Sequence, residues 1–141
     1  MSCPYFYPVE PLSRDGDPHS ALLPLGDLWA GLCRAVPGES SPPEDGTVRS
    51  LCHLGYARGA CARFPAADPG ADAVRFVLSR DEGACLRVSY VLERDHHPFA
   101  SGHLTYSCTA GGFTEPPPGE IIQRQAGAYV ASYLKWKERA S

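Results

Sequence analysis

Residues 73–93 read AVRFVLSRDEGACLRVSYVLE, and this stretch decides the fold. In its second half Leu86, Val88, Tyr90 and Leu92 alternate with Arg87 and Ser89. A period of two puts successive side chains on opposite faces of a strand, so the even positions are expected to face a core. AVRFVLS (73–79) is rich in the β-branched and aromatic types that strands favour, and RDEG between the two runs is turn chemistry. The reading is a hairpin of two strands, over 73–79 and 84–93. The loop DHHPFAS (95–101) then leads to a third strand, GHLTYSC (102–108), whose apolar set is Leu104 and Tyr106.

Toward the C-terminus, three prolines at 116–118 break the chain, and residues 120–138 carry the helical period. Ile122, Ala126, Val130 and Leu134 recur every four residues, with Ile121, Tyr129 and Tyr133 beside them. Glu120 and Arg124 stand at the spacing of a supporting ion pair. The basic end Lys135, Lys137 and Arg139 suits the negative pole of the helix dipole.

Toward the N-terminus the pattern fades. Residues 1–70 hold four of the six cysteines and ten of the fourteen prolines, with little alternation. Asp27 is placed to cap a short helix in which Leu28 and Leu32, and Trp29 and Cys33, share a face, ending before Pro37. PGESSPPEDG (37–46) reads as a loop. A second short helix is expected from Thr47 or Ser50 through Leu51, Cys52 and Leu54, stopping at Gly55, the residue type suited to a left-handed cap. The expected class is α+β. It has a small three-stranded antiparallel sheet, a C-terminal amphipathic helix across one face, and a loop-rich, short-helix N-terminal half wrapped around a metal centre. At 141 residues this is one domain (1–141), with a Cys-rich half over 1–70 and a β-meander plus helix over 71–141.

A net charge of −3, with Lys and Arg scattered, argues against nucleic acid as a partner. No run approaches the roughly eighteen apolar residues of a membrane span. The start MSCPYFYPVEPL lacks the basic end, apolar run and cleavage site of a secretory signal, so a cytoplasmic protein is expected. In a reducing compartment an even cysteine count points to metal or catalytic use rather than to disulfides.

The N-terminal cysteines Cys3, Cys33, Cys52 and Cys61 are spaced C-x29-C-x18-C-x8-C. Thiolates are the ligands that soft metals and iron–sulfur clusters select. Cys3 opens the aromatic run CPYFYP. Cys52 and Cys61 bracket the short Gly-containing loop of LCHLGYARGACARFP, and Trp29 stands one helical turn from Cys33 as a water shield. Structural zinc usually takes paired C-x2-4-C knuckles, and there are none. Dispersed single cysteines suit a cubane, whose corners lie farther apart than the ligands of one ion. The expectation is a [4Fe-4S] cluster on Cys3, Cys33, Cys52 and Cys61, with an electron-transfer, redox-sensing or structural role and an unidentified redox or protein partner. The alternative is a structural zinc module that docks partners through CPYFYP. An enzyme is the least favoured reading: a thiol-dependent one would use Cys61, flanked by Arg58 and Arg63, and a metal hydrolase would use the histidines. Cys85 and Cys108 fall on opposite faces of the strands and read as packing residues, although Cys108 or His53 is the natural substitute should one of the four ligands fail.

Asp95-His96-His97-Pro98 resembles the D-H-H-P signature of the DHH phosphoesterases. Those enzymes bind a metal pair through several further Asp and His residues on a much larger α/β scaffold. Only these four residues match, and the upstream aspartate motifs have no counterpart. The preferred reading is a hairpin loop with solvated His96, His97 and His103. No P-loop, dinucleotide fingerprint or nucleophile elbow is present.

Overall fold

The described residues form six strands in chain order: β1 (Phe6–Pro11), β2 (Trp29–Cys33), β3 (Ala73–Asp81), β4 (Cys85–Arg94), β5 (His97–Ser107) and β6 (Gly112–Phe113), the expected hairpin being β3–β4. Among the described residues one helix, α1 (Glu120–Ala140), follows them. The computed structural model describes residues 2–11, 25, 29–35, 42, 52, 55, 61, 64, 70–115 and 119–140. The second short helix expected around 47–54 lies largely outside these residues. Gly55 does take the expected left-handed backbone, with φ of 76°.

Strands β3 and β4 pair antiparallel from Ala73–Glu93 to Asp81–Leu86. Leu86 and Val88 are fully buried, and Tyr90 and Leu92 pack half-buried against the same core. Val74, Phe76 and Leu104 join them, with Ala126 and Val130 arriving from α1. The parity read from the sequence is therefore the parity of the sheet, because a one-residue slip would have exposed this whole set.

The sheet is larger than expected. Strand β5 runs the full length of β4, from Arg94–His97 to Cys85–Ser107, so His97–Ser101 is strand rather than loop. Only Asp95 and His96 form the turn, with φ of 50° and 63°. Two positive φ values make this the primed two-residue turn whose twist matches a hairpin. Pro98 concealed the strand in the sequence. It is tolerated because β6 pairs only with Tyr106 and Ser107, which leaves β5 an edge at Pro98 where no ladder bond is lost. Strand β6 adds a fourth member, with Phe113 edge-to-face on Tyr106 at 5.3 Å. The expected three-stranded sheet is thus corrected to four strands in the order β3-β4-β5-β6. Replacing Asp95-His96 by Asn-Gly should relieve the left-handed backbone and stabilise the protein by about 1 kcal/mol, read from urea unfolding. No gain would mean that the turn's own side chains contribute as much as the strain costs.

The N-terminal half departs further. Residues 29–33, expected to be helical, form β2, which pairs with β1 in a separate two-stranded sheet. A spacing of four places two residues on one face of a helix and also on one face of a strand, so Trp29 and Cys33 fit either. Tertiary contact selects the strand. Gly31 lies so close to β1 that a Cβ there would meet the Tyr7 carbonyl and the Pro8 Cα, at the point where the register slips. Pro8 and Pro11 hide β1 from a propensity reading in the same way as Pro98 hides β5.

Helix α1 occupies the expected span and lies against the inner side of the larger sheet, with Ala126 and Val130 fully buried. It closes the free edge of β3. There the Val74 N–H and C=O pair with Ser2, and the Leu78 N–H donates to the Tyr129 hydroxyl at 3.0 Å. The Tyr129 ring also stacks on Phe76 at 6.1 Å. The expected Glu120–Arg124 pair is not made. Glu120 pairs with Arg34 at 2.9 Å, and Arg124 donates to the carbonyls of Pro8 (2.6 Å) and Val9 (3.2 Å), tying the helix to β1. Among the described residues no helix is long and apolar enough to cross a membrane.

A clamp fixes the far end of the helix. Tyr133 and Lys137 both donate to Asp81 Oδ2, at 2.5 and 2.9 Å. The Tyr133 hydrogen bond, then that from Lys137, holds the Asp81 carboxyl down at about 2 from an ordinary 3.8. A depressed folded-state value means that the clamp contributes in full above the unfolded value and is lost as pH falls through about 2. A carboxyl-carbon NMR titration should therefore place the Asp81 midpoint near 2 rather than near 3.8. An ordinary midpoint would show that the clamp is not made in solution.

Candidate metal centre

The site is built on one turn. Cys3, Pro4, Tyr5 and Phe6 turn the chain into β1, with the Phe6 N–H donating to the Cys3 carbonyl at 3.1 Å. Three other cysteines reach this turn by separate routes. The Cys3 N–H donates to the Cys52 carbonyl at 2.9 Å, which fixes the two residues side by side. Cys33 stands directly across from Phe6 in the β1–β2 register. Cys61 begins a second turn of the same form, the Phe64 N–H donating to its carbonyl at 3.1 Å. The Phe64 ring meets Tyr5 edge-on, with centroids 5.3 Å apart. Cys3 and Cys52 are buried, whereas Cys33 and Cys61 are half-buried.

The Cys3 sulfur accepts hydrogen bonds from the backbone N–H groups of Tyr5 and Phe6. Such donors favour the thiolate, which is the form that binds metal. Burial works against them and wins. It pushes the Cys3 thiol up to about 12 from 9.0, and the neighbouring Cys33 and Cys61 thiols add to the rise. At that value Cys3 is a protonated, unreactive thiol near neutral pH.

A fully buried glutamine holds the turn in place. Gln125 of α1 donates through Nε2 to the Cys3 carbonyl at 2.8 Å and to the Phe6 carbonyl at 2.7 Å. Its Oε1 accepts from Ser2 Oγ at 2.7 Å, and the Ser2 hydroxyl also lies 3.2 Å from the Val74 carbonyl. Every hydrogen-bonding direction of this carboxamide except one lone pair is engaged. Gln125 escaped the sequence reading, but a signal existed. Ile121, Gln125, Ala128 and Ser132 share a helix face, and a polar residue at a core position must have a partner.

Several expectations about the site are corrected. Trp29 does not stand beside Cys33: four residues along a strand separate them by about 13 Å. Its indole instead donates to Ser132 Oγ at 3.1 Å. Of the CPYFYP aromatics Phe6 is buried, whereas Tyr5 and Tyr7 are half-buried, Tyr7 with the Arg34 guanidinium over its ring at 3.9 Å. Asp95 and His96 are turn residues, His97 is an exposed strand residue, and His103 bonds Ser89 Oγ through Nδ1 at 2.9 Å. His53, Arg58 and Arg63 lie outside the described residues. Cys85 sits across from Ser107 and Cys108 packs against the core, both on the large sheet and away from the Cys3 turn. All six cysteines are free thiols.

Among the described residues, no three His, Cys, Asp or Glu side chains are grouped so as to hold one metal ion. No protein-family model, curated protein or solved structure matches this chain. The chemistry of these residues therefore carries the functional reading alone.

Proposed function

We propose that this is an iron–sulfur protein in which Cys3, Cys33, Cys52 and Cys61 hold a [4Fe-4S] cluster with a redox role. The observation that carries the reading is the convergence of the other three cysteines on the Cys3–Phe6 turn, each by its own backbone or ring contact. A cluster spans more space than one ion, and dispersed single cysteines without paired knuckles suit it better than zinc. When bound, such a group supplies one-electron chemistry at a potential set by burial and by hydrogen bonds to sulfur.

The chain's residues supply that tuning. Tyr5 and Phe6 direct N–H groups at the Cys3 sulfur, an interaction that raises potential by stabilising the more negative state. Phe6 and Phe64 are buried around the turn and exclude water on that side. Cys33 and Cys61 are only half-buried, which leaves one side of the site near the surface and within reach of a redox partner. A purely structural site has no need of that opening.

The test is iron and acid-labile sulfide analysis, with a visible spectrum, on protein purified without oxygen. About four iron and four sulfide per chain with broad absorption is the expected result. A colourless protein holding one zinc would replace this reading with the structural module. A protein holding no metal would leave four packed thiols.

A further inference from the structure

A groove of about 600 Å³ lies beside α1, between the helix, β1, Trp29 of β2 and the β5–β6 hairpin at the edge of the large sheet. Its volume is that of a small-molecule site. Tyr7, Trp29, Tyr106 and Phe113 supply aromatic walls. Its floor includes Gly127 in mid-helix, where a Cβ would meet no described atom within 4 Å outside its chain neighbours and the helix's own backbone. A glycine there weakens the helix relative to alanine, and no group among the described residues fills the space it opens. The polar end of the groove is cationic. Arg34 neutralises Glu120, leaving Arg124 in excess. Arg124 spends Nε and Nη2 on the Pro8 and Val9 carbonyls, which orients the guanidinium while Nη1 has no partner among the described residues. Gln123 lines the same end and is exposed.

We propose that this groove binds a small amphipathic carboxylate, its flat apolar body between the aromatic walls and its anionic group on Arg124 Nη1 and Gln123. The backbone tether of Arg124 pre-orders the donor, so binding requires no rearrangement of the cation. The carboxylate is preferred over a neutral polar head because an ionised partner makes the stronger, charge-assisted hydrogen bond to the guanidinium. The proposal does not depend on the cysteine site.

The probe is 3-phenylpropionate, compared with 3-phenylpropanamide, which has the same body without the charge. Amide NMR titration of the full-length protein reads both location and affinity. The acid should shift Gly112, Gly127 and Arg124 and bind at least tenfold more tightly than the amide. Gly127→Leu should abolish binding while leaving thermal stability equal or higher, because the new side chain enters open space on a helix it strengthens. Equal binding of acid and amide would overturn the carboxylate assignment. No shifts with either, or unchanged binding to Gly127→Leu, would overturn the site.

Discussion

Replacing Gln125 by leucine is expected to cost about 2–4 kcal/mol and to loosen the N-terminal half first. The side chain is fully buried and makes three side-chain hydrogen bonds, to the Cys3 and Phe6 carbonyls and to Ser2. Leucine has a similar volume, so packing changes little. What remains is a pair of buried carbonyls short of a donor and a hydroxyl short of an acceptor, and each such group carries a desolvation cost. Two circumstances hold the loss below the full sum. The Cys3 carbonyl keeps the Phe6 N–H, and Ser2 keeps the Val74 carbonyl. Gln125→Glu is expected to be at least as harmful, because an ionised carboxylate cannot donate to either carbonyl. Urea unfolding measures the cost. Amide exchange locates it, with residues 6–11 and 29–33 losing protection well before 86–104. A loss below about 0.5 kcal/mol would mean that water replaces the carboxamide, and that the turn is not held by the helix.

The second large effect concerns the cysteines themselves. Alanine at Cys3, Cys33, Cys52 or Cys61 is expected to bring bound iron and sulfide to background. Alanine at Cys85 or Cys108 should leave the full content. The contrast follows from position: the first four gather at the Cys3 turn, while the other two sit at the β4–β5 end of the large sheet. On the proposed reading, removing the bound metal should also raise amide exchange in β1 and β2 by about a hundredfold or more, because metal-binding energy is folding energy where burial alone is thin. The β4–β5 pair, built on a buried apolar face, should change little. Full loading of the Cys33→Ala or Cys61→Ala protein, together with loss in Cys108→Ala, would show that the ligand set is wrong even if the cluster is right.

These two effects meet in one place. Gln125 anchors the turn from the helix side, and the cysteines reach it from the loop side. Weakening either should therefore weaken the other, and on the proposed iron–sulfur reading Gln125→Leu protein should lose iron to a chelator faster than wild type during dialysis.

The strand parity of β4 was legible in the sequence because it is a local property. Leu86, Val88, Tyr90 and Leu92 each reveal the pleat through a residue two away, and the same holds for the four-residue period of α1. The four N-terminal cysteines stood out in the sequence by residue type alone. Their meeting point was not, nor was the β1–β2 ribbon, whose prolines and ambiguous spacing speak for no particular structure. The Asp95–Pro98 stretch misled because a proline and two histidines look like a loop, when an edge position makes them acceptable in a strand.

By itself the sequence determined the β3–β4 hairpin, the faces it presents and the span of the helix, since neighbours within four residues suffice to encode a period. Only the tertiary structure decided that residues 29–33 extend rather than coil, that the sheet has four strands, and that Cys3 lies beside Cys52 and near Cys33 and Cys61. The reason is distance along the chain. Gln125 is 122 residues from Cys3 and 119 from Phe6, so the hydrogen bonds that shape the Cys3–Phe6 turn exist only once the helix has docked.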